Sequence, residues 1–238
     1  MCSHPGKFLD RISKKGKKEL YVKLSVKARL RRSQMNRGRA ATFSGAPKMT
    51  SEASMQARVL IVIDLLNDFL DPKGALYCGD DARKIILPVK QRILECRKNE
   101  GHVVFLCDAH APDDLEFAMF APHAVKGTWG AEIIKEIKEL LDGGDWYDII
   151  EKTRYSGFYG TNLEETLDRM GIPPGIPGNP VEVAGVCTSI CVMDTVGDLI
   201  NRHIRSIVQK SLVADFNPEA QSAAFSRMRD IYGATIAD

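Results

Sequence analysis

The chain has 238 residues, 44% hydrophobic and 27% charged, with a formal net charge of +2. Those proportions suit a soluble globular protein with one well-cored domain and an extension, and no run approaches the roughly 18 apolar residues of a bilayer span. The near-neutral total conceals two parts of opposite sign. Met1 to Arg58 carries 15 Lys and Arg against 3 Asp and Glu, and Val59 to Asp238 carries 18 against 28. The six cysteines, Cys2, Cys78, Cys96, Cys107, Cys187 and Cys191, include no C-x-x-C pair. A chain of this length needs no disulfide staples, so a reduced, intracellular, cytoplasmic protein is expected. No apolar h-region with a small-residue cleavage site opens the sequence, which argues against secretion.

Residues 1–57 form the basic arm. "RISKKGKKEL" and "KARLRRSQMNRGRAATFSGAPKMTSEAS" are rich in Arg, Lys, Ser, Ala and Gly and poor in acids, the composition of solvated, disordered chain. The same features suit an organelle-targeting segment or attraction to nucleic acid or anionic lipid. Met35, Met49 and Met55 are alternative starts. The charges are not interleaved with a series of aromatic residues, so no nucleic-acid stacking platform is expected. The arm is read as a tail without catalytic part, and residues 58–238 as the domain.

From Val59 the texture changes. "RVLIVID" is a continuous β-branched run, as expected of a strand buried on both faces. A helix follows over "DARKIILPVKQRILECRKNE", then the strand "GHVVFLCDAH", a helix over "GAEIIKEIKELL" and the strand "WYDIIEK". Next come a helix over "NLEETLDRM", a surface loop "GIPPGIPGNP" and the strand "VEVAGV". The chain closes with a helix over "CVMDTVGDLINR", the strand "RSIVQK", a helix over "NPEAQSAAFSRMRDIYG" and a last short strand in "ATIAD". Strands alternating with helices predict an α/β fold, a mostly parallel sheet with helices on both faces.

In open sheets of this kind ligands bind at the carboxyl ends of the strands. The residues just past each apolar run should therefore converge: Asp64, Asp108 with His110, Lys152, and Cys187 with Cys191. Cys191, in the first turn of a helix and near an ammonium, would be biased toward thiolate. Asp64 would accept the thiol proton and later deliver it to a leaving amine. Alone, Cys191 reads more readily as a small buried hydrophobe; Asp64 and Lys152 at matching strand ends turn the balance toward a nucleophile. Cys187 reads as a bystander whose backbone N–H, with that of Cys191, would face a developing oxyanion.

A second cluster lies in "CDAHAPDDLEFAMFAPHAVKGTWGAE". Asp108, His110, Glu116 and His123 offer carboxylates and imidazoles, a set suited to Zn²⁺ first and to Mn²⁺ or Fe²⁺ as alternatives. The histidines also read as surface-loop residues and Glu116 as solvated. In "DLLNDF", Asn67 or Asp68 reads as a helix cap and Phe69 as a cover for a flat substrate. Phe120, Trp129 and Tyr155 are candidate further aromatic walls, or core and rim.

"VIDLLNDF", "CDAH…FAPHAVKGTWGAE", "EKTRYSGF" and "AGVCTSICV" together resemble the isochorismatase-like cysteine hydrolases, and among them the nicotinamidases (pyrazinamidases). The resemblance implies a parallel six-stranded sheet in a three-layer α/β/α arrangement over residues 58–238. It implies Asp64, Lys152 and Cys191 as the catalytic triad, Asp108, His110 and His123 as metal ligands with Glu116 as an additional one, and a cis peptide at Val186–Cys187. It implies hydrolysis of nicotinamide to nicotinate and ammonia through a thioester, a step of pyridine-nucleotide (NAD) salvage. Ser189 stands where the family often has Asp, and the basic arm has no family counterpart. Another amide or carbamoyl substrate, isochorismate, and a non-enzymatic interaction module are the competing readings. A small-molecule substrate is expected, with no nucleic acid and no membrane, and a homo-oligomer is left open.

Overall fold

The structure, a computed structural model, describes residues 58–176 and 178–238. The basic arm expected over 1–57 lies outside the described residues. Six strands form one sheet: β1 (Val59–Ile63), β2 (His102–Asp108), β3 (Tyr147–Lys152), β4 (Val181–Val186), β5 (Ser206–Ala214) and β6 (Thr235–Ala237). Every neighbouring pair is parallel, in the order β3-β2-β1-β4-β5-β6. This is the parallel α/β sheet that the alternating pattern predicts.

Successive side chains of a strand point to opposite faces, and here each face has its own core. Leu60, Val62, Val103 and Phe105 join one apolar cluster, and Val59, Ile61, Ile63, Val104 and Leu106 the other. Helix α1 (Ile86–Lys98) covers the first face through Val89, Ile93 and Cys96. Helices α2 (Leu163–Arg169), α3 (Met193–Asn201) and α4 (Pro218–Asp230) cover the second through Leu163, Leu167, Val196, Leu199 and Met228. Burial on both sides is why the strands read as unbroken apolar runs. Each such Leu, Ile or Val contributes about 1.5–3 kcal/mol. Asn217 caps α4, its Oδ1 accepting from the Glu219 and Ala220 N–H groups at 3.0 and 3.1 Å.

Three elements differ from the sequence reading. The helix expected over 81–100 is split into Asp80–Arg83 and α1. Pro88 has no N–H to give the Lys84 carbonyl, and it is accommodated in the first turn of α1, where that donor has no helical partner anyway. The helix expected over 130–141 shrinks to Lys135–Lys138, because Ile133 forms an antiparallel bridge with Leu66. β5 runs four residues past "RSIVQK", to Ala214; exposed Lys210 and Ser211 interrupt its apolar run, near a register shift against β4 between Val183 and Gly185. Among the described residues no helix is long and apolar enough to cross a membrane.

The chain passes from β1 outward to β2 and β3, then returns to lay β4 on the other side of β1. The crevice beyond the carboxyl ends of β1 and β4 is thus the point where strand order reverses, the usual ligand site of such sheets. The two backbones approach closely there. Gly185 has φ +118°, and a Cβ on it would lie 2.0 Å from the Ile63 carbonyl oxygen. Gly185→Ala is therefore expected to destabilise the protein by at least about 2 kcal/mol, read as a lowered urea midpoint. An unchanged midpoint would show that β1 and β4 separate more easily than this contact allows.

Candidate active site and metal centre

The strand order sets four carboxyl ends side by side. Asp108 and Lys152 are register partners at the ends of β2 and β3. Asp64 follows β1 in the left-handed region, φ 55°, which Asp tolerates better than most residues. Its N–H donates to the Leu106 carbonyl at 2.9 Å, and its Oδ1 accepts the Asp108 N–H at 2.9 Å. The Lys152 side chain is wholly buried. Its Nζ lies 2.6 Å from Asp108 Oδ1, 2.8 Å from Asp64 Oδ2 and 3.5 Å from Cys191 Sγ. Oxygens of Asp64 and Asp108 and the Cys191 sulfur all lie within 4.8 Å of one another. A metal ion could use that spacing, but the ammonium already stands at its centre.

Burial dominates the protonation of this group. It pushes the Asp64 carboxyl up to about 7, with the Asp108 charge adding and Lys152 opposing. It pushes the Cys191 thiol well above its ordinary value, with Lys152 opposing and both carboxylates adding. Burial acts to lower Lys152 too, but Asp108 and Asp64 outweigh it and hold the ammonium well above its usual range. The resting arrangement is a charged lysine and a neutral thiol with a carboxyl base beside it. This corrects the expectation of a thiolate favoured by a helix N-terminus. Cys191 sits in a π-helical turn, Thr188–Val192, ahead of α3, and desolvation there outweighs the Lys152 ammonium.

That turn is firmly held. The Ile190 and Val192 N–H groups donate to the Cys187 carbonyl at 3.1 and 3.2 Å, and the Ser189 N–H donates to Asp215 Oδ2 at 2.7 Å. The Val186–Cys187 peptide is cis, in agreement with the family pattern.

Asp108, His110 and His123 each bring one ligand atom within 4.8 Å of the others, and all three are buried. Both imidazoles are fixed from outside. His110 Nδ1 lies 3.2 Å from Asp114 Oδ2, and His123 Nδ1 lies 2.8 Å from the Ala121 carbonyl. Carboxylate and carbonyl oxygens accept, so both Nδ1 atoms carry a proton, and in the neutral rings both Nε2 atoms offer a lone pair. His110 Nε2 is buried with no hydrogen-bond partner among the described residues and lies 3.7 Å from Asp108 Oδ2. Two anchored imidazoles, an orphaned nitrogen and a carboxylate fit a divalent transition metal. Glu116 Oε1 lies 3.8 Å from His123 Nε2, beside this set rather than within it.

Above both groups is a cavity of about 380 Å³. Asp64, Asp108 and Cys191 lie at its base, with Phe69, Phe120, Tyr155, Leu76 and Phe216 around it. Phe69, Phe120 and Tyr155 therefore reach the site as the sequence reading has them. Trp129 does not: it is half exposed and lines a separate groove with Asn67 and Arg83. The cause is local. Asn67 Nδ2 donates to the Trp129 carbonyl at 2.8 Å, and a Cβ on Gly130 would lie 2.0 Å from Asp68 Oδ2. Backbone pinned this tightly belongs to the strut under the site. Asp68, which accepts from the Ala75 and Ala124 N–H groups at 3.0 and 2.7 Å, is the other half of that strut. Sequence reasoning missed Tyr77, Cys78, Ile190 and Phe216 in the lining. Phe216 was within reach of the strand-end rule, had β5 been carried to Ala214.

The family model described as "Isochorismatase domain" matches residues 58–238. A crystal structure of nicotinamidase/pyrazinamidase PncA from Bacillus subtilis superposes with a TM-score of 0.70 at 35% identity, covering 77% of this chain and 100% of that one. N-carbamoylsarcosine amidase from Thermoplasma acidophilum gives 0.64 at 33% identity, covering 75% and 94%. Pyrazinamidase of Pyrococcus horikoshii in complex with zinc gives 0.66 at 28% identity, covering 76% and 98%.

Removing the ammonium would leave two buried carboxylates facing one another. Lys152→Met is expected to destabilise the full chain by about 3–5 kcal/mol, measured by chemical denaturation in the presence of a chelator. A wild-type midpoint would mean that the carboxylates do not depend on this cation.

Proposed function

The chain belongs to the isochorismatase family of hydrolases, and we propose that it is a nicotinamidase, cleaving the carboxamide C–N bond of nicotinamide to give nicotinate and ammonia. The observation that carries this reading is the chemistry of the cavity. It is small, walled by aromatic and aliphatic side chains, and bordered by a thiol with its base and by Asp108 and His123, two members of the set that His110 completes. Among the described residues that line it there is no Lys or Arg, and Lys152 beneath is saturated by Asp64 and Asp108. Nicotinamide is flat and uncharged and needs no counter-ion. N-carbamoylsarcosine and isochorismate carry carboxylates, which would meet no cationic side chain among the described lining residues.

Asp64 takes the proton from Cys191 Sγ as the sulfur attacks the amide carbon. The oxyanion that forms faces the backbone N–H groups of Cys187 and Cys191. The C–N bond breaks, ammonia leaves with the proton from Asp64, and the acyl group remains on sulfur as a thioester. Asp64 then takes a proton from water, whose oxygen attacks the thioester carbon, and the proton returns to Cys191 as the C–S bond breaks. The nicotinic acid released ionises to nicotinate by giving its proton to solvent or ammonia. Lys152 keeps Asp64 and Cys191 at working distance and offsets the negative charge that passes between them. Asp108, His110 and His123, with Glu116 nearby, are the residues that would hold a divalent cation, Zn²⁺ by donor type. When bound, such an ion supplies a Lewis-acidic anchor for a ring nitrogen. Phe69 and Phe120, both edge-on to His123 with ring centroids 5.5 and 6.2 Å away, would flank the pyridine ring.

Ammonia release from nicotinamide tests the reading. The purified protein should release it, lose the activity on chelation and regain it with Zn²⁺ or Mn²⁺, while N-carbamoylsarcosine is not turned over. Cys191→Ala should lower kcat by at least about 10³-fold while retaining nicotinamide binding. A folded, metal-loaded protein that cleaves the carbamoyl acid and ignores nicotinamide would overturn it.

A further inference from the structure

We propose that Asp114, braced by Arg154, is the positioning residue that sets the tautomer and orientation of His110 and thereby the metal affinity of the site. The inference rests on the metal-ligand reading of Asp108, His110 and His123 given above. Asp114 is the hub of three contacts. Its Oδ2 lies 3.2 Å from His110 Nδ1. Its Oδ1 accepts the Glu116 N–H at 2.9 Å, capping the short 3-10 turn Leu115–Ala118. The Arg154 Nη1 donates to both carboxylate oxygens, at 3.0 and 3.1 Å. The Asp114 side chain is 8% exposed although it lies in a loop. Arg154 stands two residues beyond Lys152, so this brace ties the His110 loop to the end of β3.

The two histidines differ in how they are held. His123 is fixed by a backbone carbonyl, which no side-chain change removes. The His110 ring has a side-chain acceptor on Nδ1, and its Nε2 is the buried nitrogen without a partner among the described residues. Without the acceptor, the neutral ring gains nothing from keeping its proton on Nδ1. The proton can move to Nε2, which Asp108 Oδ2 faces at 3.7 Å. That tautomer has no lone pair to offer a metal. The Asp114 contact therefore does for His110 what outer carboxylates do for metal-binding histidines generally: it fixes the ring and raises its basicity.

The test separates this role from the cap. Asp114→Ser keeps an oxygen able to accept from the Glu116 N–H but is too short to reach His110. Asp114→Asn has one acceptor oxygen for these two N–H groups, so it serves His110 or the cap but not both. Zn²⁺ binding by the full chain is measured in competition with a chromophoric chelator, and the His110 tautomer in metal-free protein by long-range ¹H–¹⁵N NMR. The Ser variant should bind Zn²⁺ about 10–100-fold more weakly and shift His110 toward the Nε2–H form. The Asn variant and Arg154→Gln should each fall between the Ser variant and wild type. A folded Ser variant with wild-type Zn²⁺ affinity and an unchanged tautomer overturns the inference. Should the Ser variant fail to fold, unaltered affinity and tautomer in folded Arg154→Gln do the same. A wild-type protein that binds no Zn²⁺ overturns instead the ligand set on which the inference rests.

Discussion

Lys152 carries a full positive charge where water does not reach, and the two carboxylates at 2.6 and 2.8 Å make that burial tolerable. An isolated ammonium in such a place would lose several kcal/mol of hydration with nothing to offset it. Each partner comes from a different strand end, so the arrangement exists only while β1, β2 and β3 keep register. A slip of one residue would turn every side chain of a strand to the opposite face. The left-handed turn at Asp64 serves the same end, bringing its carboxylate within 2.9 Å of the Asp108 N–H.

The same charge balance explains the state of the Cys191 thiol. Two carboxylates and one ammonium already leave the buried group with a net negative charge. Ionising Cys191 would add a second, and burial makes that more costly than one shared lysine can offset. One proton therefore remains in the space shared by sulfur and Asp64, which is where a transferable proton is wanted. Asp108 takes part on both sides. Its Oδ1 holds the lysine and its Oδ2 faces His110, so the Asp64–Lys152–Cys191 group and the histidine pair share one carboxylate.

How much of this was legible in the sequence depended on the kind of information each feature needs. The strands were legible because burial on both faces writes an unbroken apolar run, and the strand-end rule then gathers Asp64, Asp108, Lys152 and Cys191 without any coordinates. Helix ends were less legible. Pro88 announces its break only once the i−4 carbonyl is considered, and Ile133 was taken out of its expected helix by a bridge to Leu66, a partner 67 residues away. The protonation of Cys191 could not be read at all, because it turns on desolvation. Trp129 was misplaced for a related reason: an aromatic residue near a motif says nothing of which way its backbone is pinned. Asp215 shows the opposite case. It caps Ser189 from 26 residues away, at the very turn where the family often has Asp. It lies just past the true end of β5, so the strand-end rule would have found it.

On the proposed reaction, the cavity suits its substrate and disfavours its product. Nicotinamide enters uncharged, into apolar walls that require no counter-ion. Hydrolysis turns its amide into a carboxylate beside Asp64, Asp108 and Glu116, with no cationic side chain among the described lining residues to receive it. Like charges at such separations repel by roughly 4 kcal/mol per pair at 4 Å in an effective dielectric of 20, before any bound cation is counted. The acids that manage the proton therefore also oppose retention of the product. A site with an arginine for substrate carboxylates would gain affinity for acidic substrates and lose that asymmetry.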